Sequence, residues 1–355
     1  MRIDQLLPAF HHGDAIGDSA LHMKRFFLSH GYESEIYCLT RDESLTGDSR
    51  LFEKFPEPSS SDITLFHYAL PSPLTQAFAD LPSRKVLIYH NITPSVYFEG
   101  FSSEMARITT LGREELKILV KHVDLALADS EYNRQELDEL GFVRTDVLPL
   151  FIDFEKYKRP EDRFISDFYQ DGRINILFIG RIVPNKKIED LIKVVFYYKK
   201  YISPLIRLVV VGKTTSLPNY YQSLVRLADE FYLKAEEICF TGHIPDEEMY
   251  ALYKTSDVFL SLSEHEGFCL PLVESLIFDL PVIAYDCTAV PYTLDGAGVL
   301  VREKRVEWIA ELVHRVAVDS RLRSKLIDGQ RGRLQRYQNA NQNELLLSKL
   351  NGLLR

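Results

Sequence analysis

The stretch Ile174-Asn-Ile-Leu-Phe-Ile-Gly-Arg-Ile-Val-Pro-Asn-Lys-Lys-Ile-Glu-Asp190 decides the fold. Ile174 to Ile179 is an almost unbroken apolar run, of strand length and too continuous for a sheet with one wet face. Gly180 ends the run, Pro184 marks a turn, and Ile188, Leu191, Ile192 and Val195 then recur at helical spacing. Strand, short turn and helix make one βα unit, and continuous apolar strands of this kind belong to parallel sheets covered on both faces.

The same alternation extends outward in both directions. Val86–Tyr89, Leu125–Ala128, Leu208–Val211, Val258–Leu262 and Val282–Tyr285 read as further buried strands. Ile16, Ala20, Met23 and Phe27 mark a helix face near the start. The expectation is a doubly wound α/β architecture. The pattern runs from Met1 to about Phe151 and restarts at Ile174, while residues 153–172 are charged, contain Pro160 and read as a linker. Two Rossmann-like domains are therefore expected, 1–160 and 161–335. A last helix from about 335 to 355 carries Leu346, Leu350 and Leu353 on one face and is expected to dock.

The 355 residues are 46% hydrophobic and 26% charged, an ordinary globular balance that excludes a wholly disordered chain. A net charge of −9 argues against nucleic acid as a partner. Residues 1–160 hold 17 Lys and Arg against 25 Asp and Glu, and residues 161–355 hold 25 against 26, so an anionic ligand fits the second half better. Cys38, Cys239, Cys269 and Cys287 are too scattered for a metal site and are expected as reduced thiols, mostly buried. The first eight residues lack the apolar core of a signal peptide, and no run approaches the ~20 apolar residues of a membrane helix. A soluble, cytoplasmic protein is expected, with peripheral membrane contact left open. Residues 101–122 place Arg107, Arg113, Lys117 and Lys121 among apolar groups and read as an amphipathic helix, facing a membrane or packed on its own domain.

Two stretches suit chemistry. Arg181 and Lys186 bracket the turn after the strand ending at Gly180, beside a helix N-terminus, where cations and free N–H groups suit a diphosphate. The same two residues would also serve as solvated loop charges. Ser263-Glu-His-Glu-Gly-Phe-Cys-Leu-Pro-Leu-Val-Glu-Ser-Leu276 follows the strand Val258–Leu262. Gly267 permits close backbone approach, and Pro271 suits the first turn of a helix. Glu266 and Glu274 then face the carboxyl edge of the sheet, where α/β folds bind ligands. Carboxylates there fit the vicinal hydroxyls of a sugar or ribose; alternatively, Glu274 serves the helix dipole.

This second half resembles the donor domain of glycosyltransferase family 4, retaining enzymes of the GT-B fold. The family's Glu, seven residues, Glu is matched by Glu266 and Glu274, and its Gly-Arg, four residues, Lys by Gly180, Arg181 and Lys186. Phe240-Thr-Gly-His-Ile-Pro-Asp-Glu-Glu-Met-Tyr-Ala-Leu-Tyr253 resembles the base-binding loop and the helix after it, and Val282–Asp286 through Gly296–Leu300 the closing stretch. The resemblance implies two Rossmann-like domains facing each other across a cleft, with the C-terminal helix docking back on the first. It implies a hexosyltransferase that retains configuration, takes a UDP-sugar first or a GDP-sugar second, and needs neither cofactor nor metal. Its acceptor would be a saccharide or a lipid-linked saccharide of a bacterial surface polysaccharide. Arg181 and Lys186 would neutralise the diphosphate, Glu266 would hold the transferred sugar, and Glu274 the ribose. Gly180, Gly212, Gly242, His243, Ile244, Gly267, Phe268, Cys269 and Leu270 would complete the donor site.

The first half matches more loosely. His12-Gly-Asp-Ala-Ile-Gly-Asp18 opens the first helix, and Gly13 and Asp14 would approach the donor. His90, just past the strand Val86–Tyr89, matches the family histidine that faces the sugar, and Ser130 fits a family segment or a helix cap. His11 and His12 invite a metal reading that no Asp-x-Asp motif accompanies. Two departures stand out: Lys187 where the family often has Gly, and Tyr292 where it commonly has Glu. A sugar-nucleotide epimerase of the same fold and a non-catalytic nucleotide-sugar-binding partner are the alternatives. A nicotinamide oxidoreductase would need Gly-x-Gly-x-x-Gly after a strand, which neither half supplies.

Overall fold

The computed structural model describes residues 1–11 and 13–354, so His12 of the His11-His12 pair lies outside the described residues. The chain divides into two compact units. One comprises residues 1–96, 104–152 and 340–355, the other 97–103 and 153–339.

In the first unit the strands are β1 (Ile3–Phe10), β2 (Ile36–Arg41), β3 (Arg50–Leu51), β4 (Ile63–Tyr68), β5 (Arg84–Tyr89), β6 (Leu125–Ala128) and β7 (Thr145–Val147). They form a parallel sheet in the order β3-β2-β1-β4-β5-β6-β7. The continuous apolar runs resolve into two faces with period two. Val86 and Ile88, with Leu125 and Leu127, join a core that also holds Ile3, Met23 and Phe27. Leu87 and Tyr89, with Ala126 and Ala128, join the opposite core with Phe66, Phe78 and Leu116. Each run is apolar throughout because both faces are covered.

The helix Ser103–Leu119 buries Thr109, Gly112, Leu116 and Leu119, so the stretch with Arg107 and Arg113 is a packing helix of its unit. Arg113 pairs with Glu136 at 2.7 Å. Among the described residues no helix is long and apolar enough to cross a membrane.

In the second unit the strands are β8 (Ile174–Ile179), β9 (Ile206–Val211), β10 (Ile238–Gly242), β11 (Val258–Ser261), β12 (Val282–Tyr285) and β13 (Val299–Val301). Their parallel order is β10-β9-β8-β11-β12-β13, which repeats the first unit's reversal of direction beside its first strand. Both units are thus Rossmann-like, and the fold is GT-B.

Three divisions differ from the sequence reading. Residues 153–172 are no free linker. Asp162 caps the helix Arg163–Tyr169 through Ile165 N, and Tyr157 and Tyr169 are buried in the second unit. The segment's charges lie outward while two aromatic anchors turn in, a pattern too sparse to show as periodicity. The last part of the first unit begins at residue 340, because the helix Ser320–Asn339 belongs to the second unit and only Gln342–Leu350 returns. There Leu346, Leu350 and Leu353 pack with Met23, Phe27 and Val86, and Lys349 pairs with Asp146 at 2.6 Å. Residues 97–103 group with the second unit: the ring of Phe101 meets Tyr220 edge-on at 5.1 Å, and Asn219 Nδ2 donates to Phe101 O at 3.2 Å.

The closest backbone approach at a glycine is at the end of β9. A Cβ on Gly212, at the end of β9, would lie 1.9 Å from the carbonyl oxygen of Gly180 at the end of β8. Backbone on backbone cannot yield as a side chain can, so Gly212→Ala should lose roughly 3 kcal/mol, at the upper end of overpacking costs. Urea titration should show the second unit unfolding at markedly lower denaturant; an unchanged midpoint would contradict this packing.

Candidate active site

The donor-type residues of the second unit gather at the carboxyl ends of β8, β9, β10 and β11. Gly180 N donates to Val211 O and Gly212 N to Gly242 O, each at 3.0 Å. Three successive strands therefore end in a lip of bare backbone. The order β9-β8-β11 makes the gap between β8 and β11 the switch point, where loops leave in opposite directions and a crevice opens. The loops 181–187 and 262–269 flank that point.

The two loops are stitched together. The 3₁₀ turn Pro184–Lys186 presents Asn185, whose Nδ2 donates to His265 O at 2.9 Å, while Glu264 N donates to Asn185 O at 2.8 Å. Lys186 Nζ lies 2.6 Å from Glu266 Oε2, with side chains 15% and 6% exposed, so the two predicted site residues form one largely buried ion pair. Arg181 is exposed and makes no ion pair among the described residues. From the other side Glu266 N donates to Thr288 Oγ1 at 2.9 Å, and Thr293 Oγ1 donates to Phe268 O at 2.5 Å. The loop carrying Gly267 and Phe268 is thereby held at both ends.

Cys269 adopts the left-handed conformation, φ 68°, and begins the helix Leu270–Ile277, whose first N–H groups have no partner within the helix. Glu274, on that helix, is largely buried. Its Oε1 accepts from Tyr157 Oη at 2.8 Å and its Oε2 from Tyr253 Oη at 2.7 Å. Burial raises its carboxyl above the usual range, and the two hydroxyls lower it in part. An ionised carboxylate offers about four acceptor sites, so half remain for a ligand. The ring of Phe278 stacks on Tyr253 at 5.0 Å and meets Tyr157 edge-on at 6.0 Å, which fixes both hydroxyls. Beyond β10, His243 is exposed and Ile244 rests against the core.

The departures have structural reasons. Lys187 sits at φ 51°, in the left-handed region that glycine enters most easily, and its ammonium lies 3.3 Å from Glu264. Lys304 approaches the same carboxylate at 2.8 Å. The added cation thus serves the loop wall. Tyr292 is 41% exposed, and its carbonyl accepts from Arg333 at 3.1 Å.

Gly13, Asp14 and His90 belong to the first unit. The Asp14 carboxylate caps the helix Ala15–Ser29 through Ile16 N at 3.2 Å, and Ser130 caps Glu131–Leu140 through Asn133 N. His11 Nδ1 meets Asp42 at 2.8 Å. The His90 side chain is only 3% exposed: Nδ1 lies 2.8 Å from Asp129 and Nε2 3.0 Å from His67. Tyr157, Tyr253, Thr288, His67 and Asp129 escape the sequence reading. Tyr253 closes the stretch Phe240–Tyr253, but no common signal in the five neighbourhoods marks these side chains.

Residues 158–333 match the family described as glycosyl transferases group 1. The serotype-specific mannosyltransferase WbdA of Escherichia coli is 24% identical over 163 residues, 46% of this chain and 20% of its own length. A GDP-mannose-dependent alpha-mannosyltransferase of Mycobacterium tuberculosis is 30% identical over 116 residues, 33% of this chain and 26% of its own. This chain thus matches about a fifth to a quarter of the length of these relatives. Anabaena HepE, solved with UDP-glucose, superposes with a TM-score of 0.76 at 15% identity, covering 99% of this chain and all of its own.

Proposed function

Because residues 158–333 match the family described as glycosyl transferases group 1, we propose that the protein is a retaining glycosyltransferase. It moves a hexose from a nucleoside-diphosphate sugar to a saccharide or lipid-linked saccharide acceptor, in the assembly of a bacterial surface polysaccharide. The observation that carries this reading is the Lys186–Glu266 pair at the switch point, with Arg181 exposed on the same loop as Lys186 and Glu274 on the helix behind.

Glycosyl transfer separates an electron-poor sugar from a departing diphosphate. Arg181 and Lys186 supply fixed positive charge for the diphosphate, electrostatic preorganisation that requires no proton transfer. Lys186 is held by Glu266 until phosphate oxygens compete for its ammonium, and Glu266 is then available to sugar hydroxyls. Glu274 receives the ribose hydroxyls on the acceptor sites that the tyrosines leave open. Two carboxylates of the glycosidase kind are not required, and the leaving phosphate takes the acceptor proton on the face it departs from.

Several of the sequence relatives are named as mannosyltransferases, one of them GDP-mannose-dependent. They favour GDP-mannose as donor and reverse the order expected from family frequency. UDP-glucose is the second candidate. A thermal-shift panel of GDP- and UDP-sugars tests this: saturation to about 100 times Kd adds about 2.7 kcal/mol and raises Tm by several degrees. Hydrolysis of the best binder should follow. No shift with any nucleotide sugar would remove the reading; an isomerised sugar from donor alone would replace it with an epimerase.

A further inference from the structure

Beneath the carboxyl end of β5, buried polar side chains form a line across the sheet of the first unit. Gln5 on β1 donates Nε2 to Ala20 O at 2.9 Å, and its Oε1 lies 3.0 Å from His67 Nε2 on β4. His67 Nδ1 is 3.0 Å from His90 Nε2, and His90 Nδ1 is 2.8 Å from Asp129 Oδ2. The two imidazoles are parallel within 5°, with centroids 5.2 Å apart. That separation equals the N···N distance plus a ring radius at each end, so the rings meet edge to edge, as a hydrogen bond in their common plane requires. Gln5 and His67 are essentially without solvent contact, and the Asp129 and His90 side chains are 5% and 3% exposed.

The line has one consistent set of protons. A Gln5 amide that donates to a carbonyl through Nε2 must accept through Oε1, so His67 Nε2 carries hydrogen. Burial, and next the neighbouring His90, hold His67 well below the ordinary histidine range, so it is neutral and its Nδ1 is a bare lone pair. His90 Nε2 must then carry the hydrogen between the rings. On the other side His90 Nδ1 faces a carboxylate. Burial pushes the Asp129 carboxyl up and the facing His90 brings it back down. Asp129 Oδ1 has no hydrogen-bond partner among the described residues, so the carboxylate relies on His90 alone. His67 and Asp129 are the titratable groups that face the His90 ring among the described residues, from β4 and from the end of β6.

We propose that His67 is a positioning residue that accepts the Nε2 hydrogen of His90, so that both ring nitrogens are committed inward and His90 cannot serve as a base toward an acceptor hydroxyl. The inference rests on His90 being a site residue of a glycosyltransferase. In that reaction the bond from the anomeric carbon to the phosphate oxygen breaks and the bond to the acceptor oxygen forms. The acceptor proton then passes to the departing phosphate, because both nitrogens of His90 are engaged by His67 and Asp129. His90 contributes a fixed ring and an ordered backbone at the end of β5.

The test is nitrogen-15 histidine NMR of the full chain from about pH 5.5 to about pH 8.5, across the range where free histidine titrates. The expected spectrum shows His67 as the neutral Nε2–H form and His90 with a hydrogen on Nε2. A bare Nε2 on His90 at neutral pH, or a His67 that titrates in this window, overturns the inference without any variant. In a second arm, His67→Phe releases His90 Nε2. Its kcat should fall roughly fivefold or more and its pH profile should differ from that of the wild type, because His90 Nε2 no longer has an acceptor for its hydrogen. Lost activity with an unchanged pH profile would mean a merely structural His67 and would also overturn it. Absence of transfer by the wild type would sink the transferase reading while leaving the NMR result standing, so the two failures are distinguishable.

Discussion

Lys186→Ala should lower sugar transfer by two to three orders of magnitude while the chain remains folded. One well-placed charge facing a developing anion is worth about 3–4 kcal/mol in other enzymes, and each 1.36 kcal/mol is about tenfold in rate. The geometry makes Lys186 such a charge. Its short turn is pinned by Asn185 to the backbone of His265, and its ammonium is held 2.6 Å from Glu266. The substitution has a second effect, because it leaves Glu266, 6% exposed, without its cation. Removing one member of a buried pair typically costs about 3–5 kcal/mol, and solvent at the 15% exposed lysine lessens that. Lys186→Ala combined with Glu266→Gln should therefore recover much of the lost Tm without recovering rate. Initial rates and melting curves on the three proteins separate the two effects. Near-wild-type turnover in Lys186→Ala would remove the diphosphate role.

Glu274→Ala should weaken nucleotide binding by roughly tenfold to a hundredfold, the range expected when hydrogen bonds to a charged group are lost. It should also lower Tm, since the hydroxyls of Tyr157 and Tyr253 lose their acceptor in a dry site. Each stranded donor costs about 1–3 kcal/mol. Glu274→Gln separates charge from shape. Its amide oxygen accepts from one tyrosine and its NH₂ donates to the other, so the packing survives while the charge is gone.

The sign of the pH dependence follows from burial. The folded carboxyl is raised above its unfolded value, so folded and unfolded chains are alike when both are protonated. As pH rises from the ordinary carboxyl range through the raised value, the unfolded chain ionises first and the wild type loses stability relative to Glu274→Gln. The stability of Glu274→Gln minus that of the wild type should therefore grow between acidic pH and neutrality. A difference that stays flat or shrinks would mean that Glu274 is not desolvated as described.

Much of the donor unit is legible in the sequence because its features are local. Gly180-Arg181 and Lys186 stand on one βα turn, and Glu266 and Glu274 on one loop and the helix that follows it. The period-two split of each apolar run is implicit in the run itself. Tyr157 and Tyr253 are a different case. They lie 117 and 21 residues from Glu274, and nothing in the composition of either neighbourhood marks a hydroxyl aimed at a carboxylate. Residues 153–172 read as a linker because charge and Pro160 dominate them, whereas Tyr157 and Tyr169 alone tie the segment to the second unit.

The sequence by itself determines the class of the fold, the restart of the pattern and the placement of cations and carboxylates at strand ends. These follow from hydrophobic period and turn chemistry, which act over a few residues. Only the tertiary structure decides which of those groups are occupied. It pairs Lys186 with Glu266, turns Lys187 toward Glu264, buries Glu274 under two tyrosines and encloses His90 between His67 and Asp129. The reason is that protonation and pairing depend on desolvation and on partners brought together from distant strands. In a parallel sheet those partners are set by strand order, which no short stretch of sequence contains.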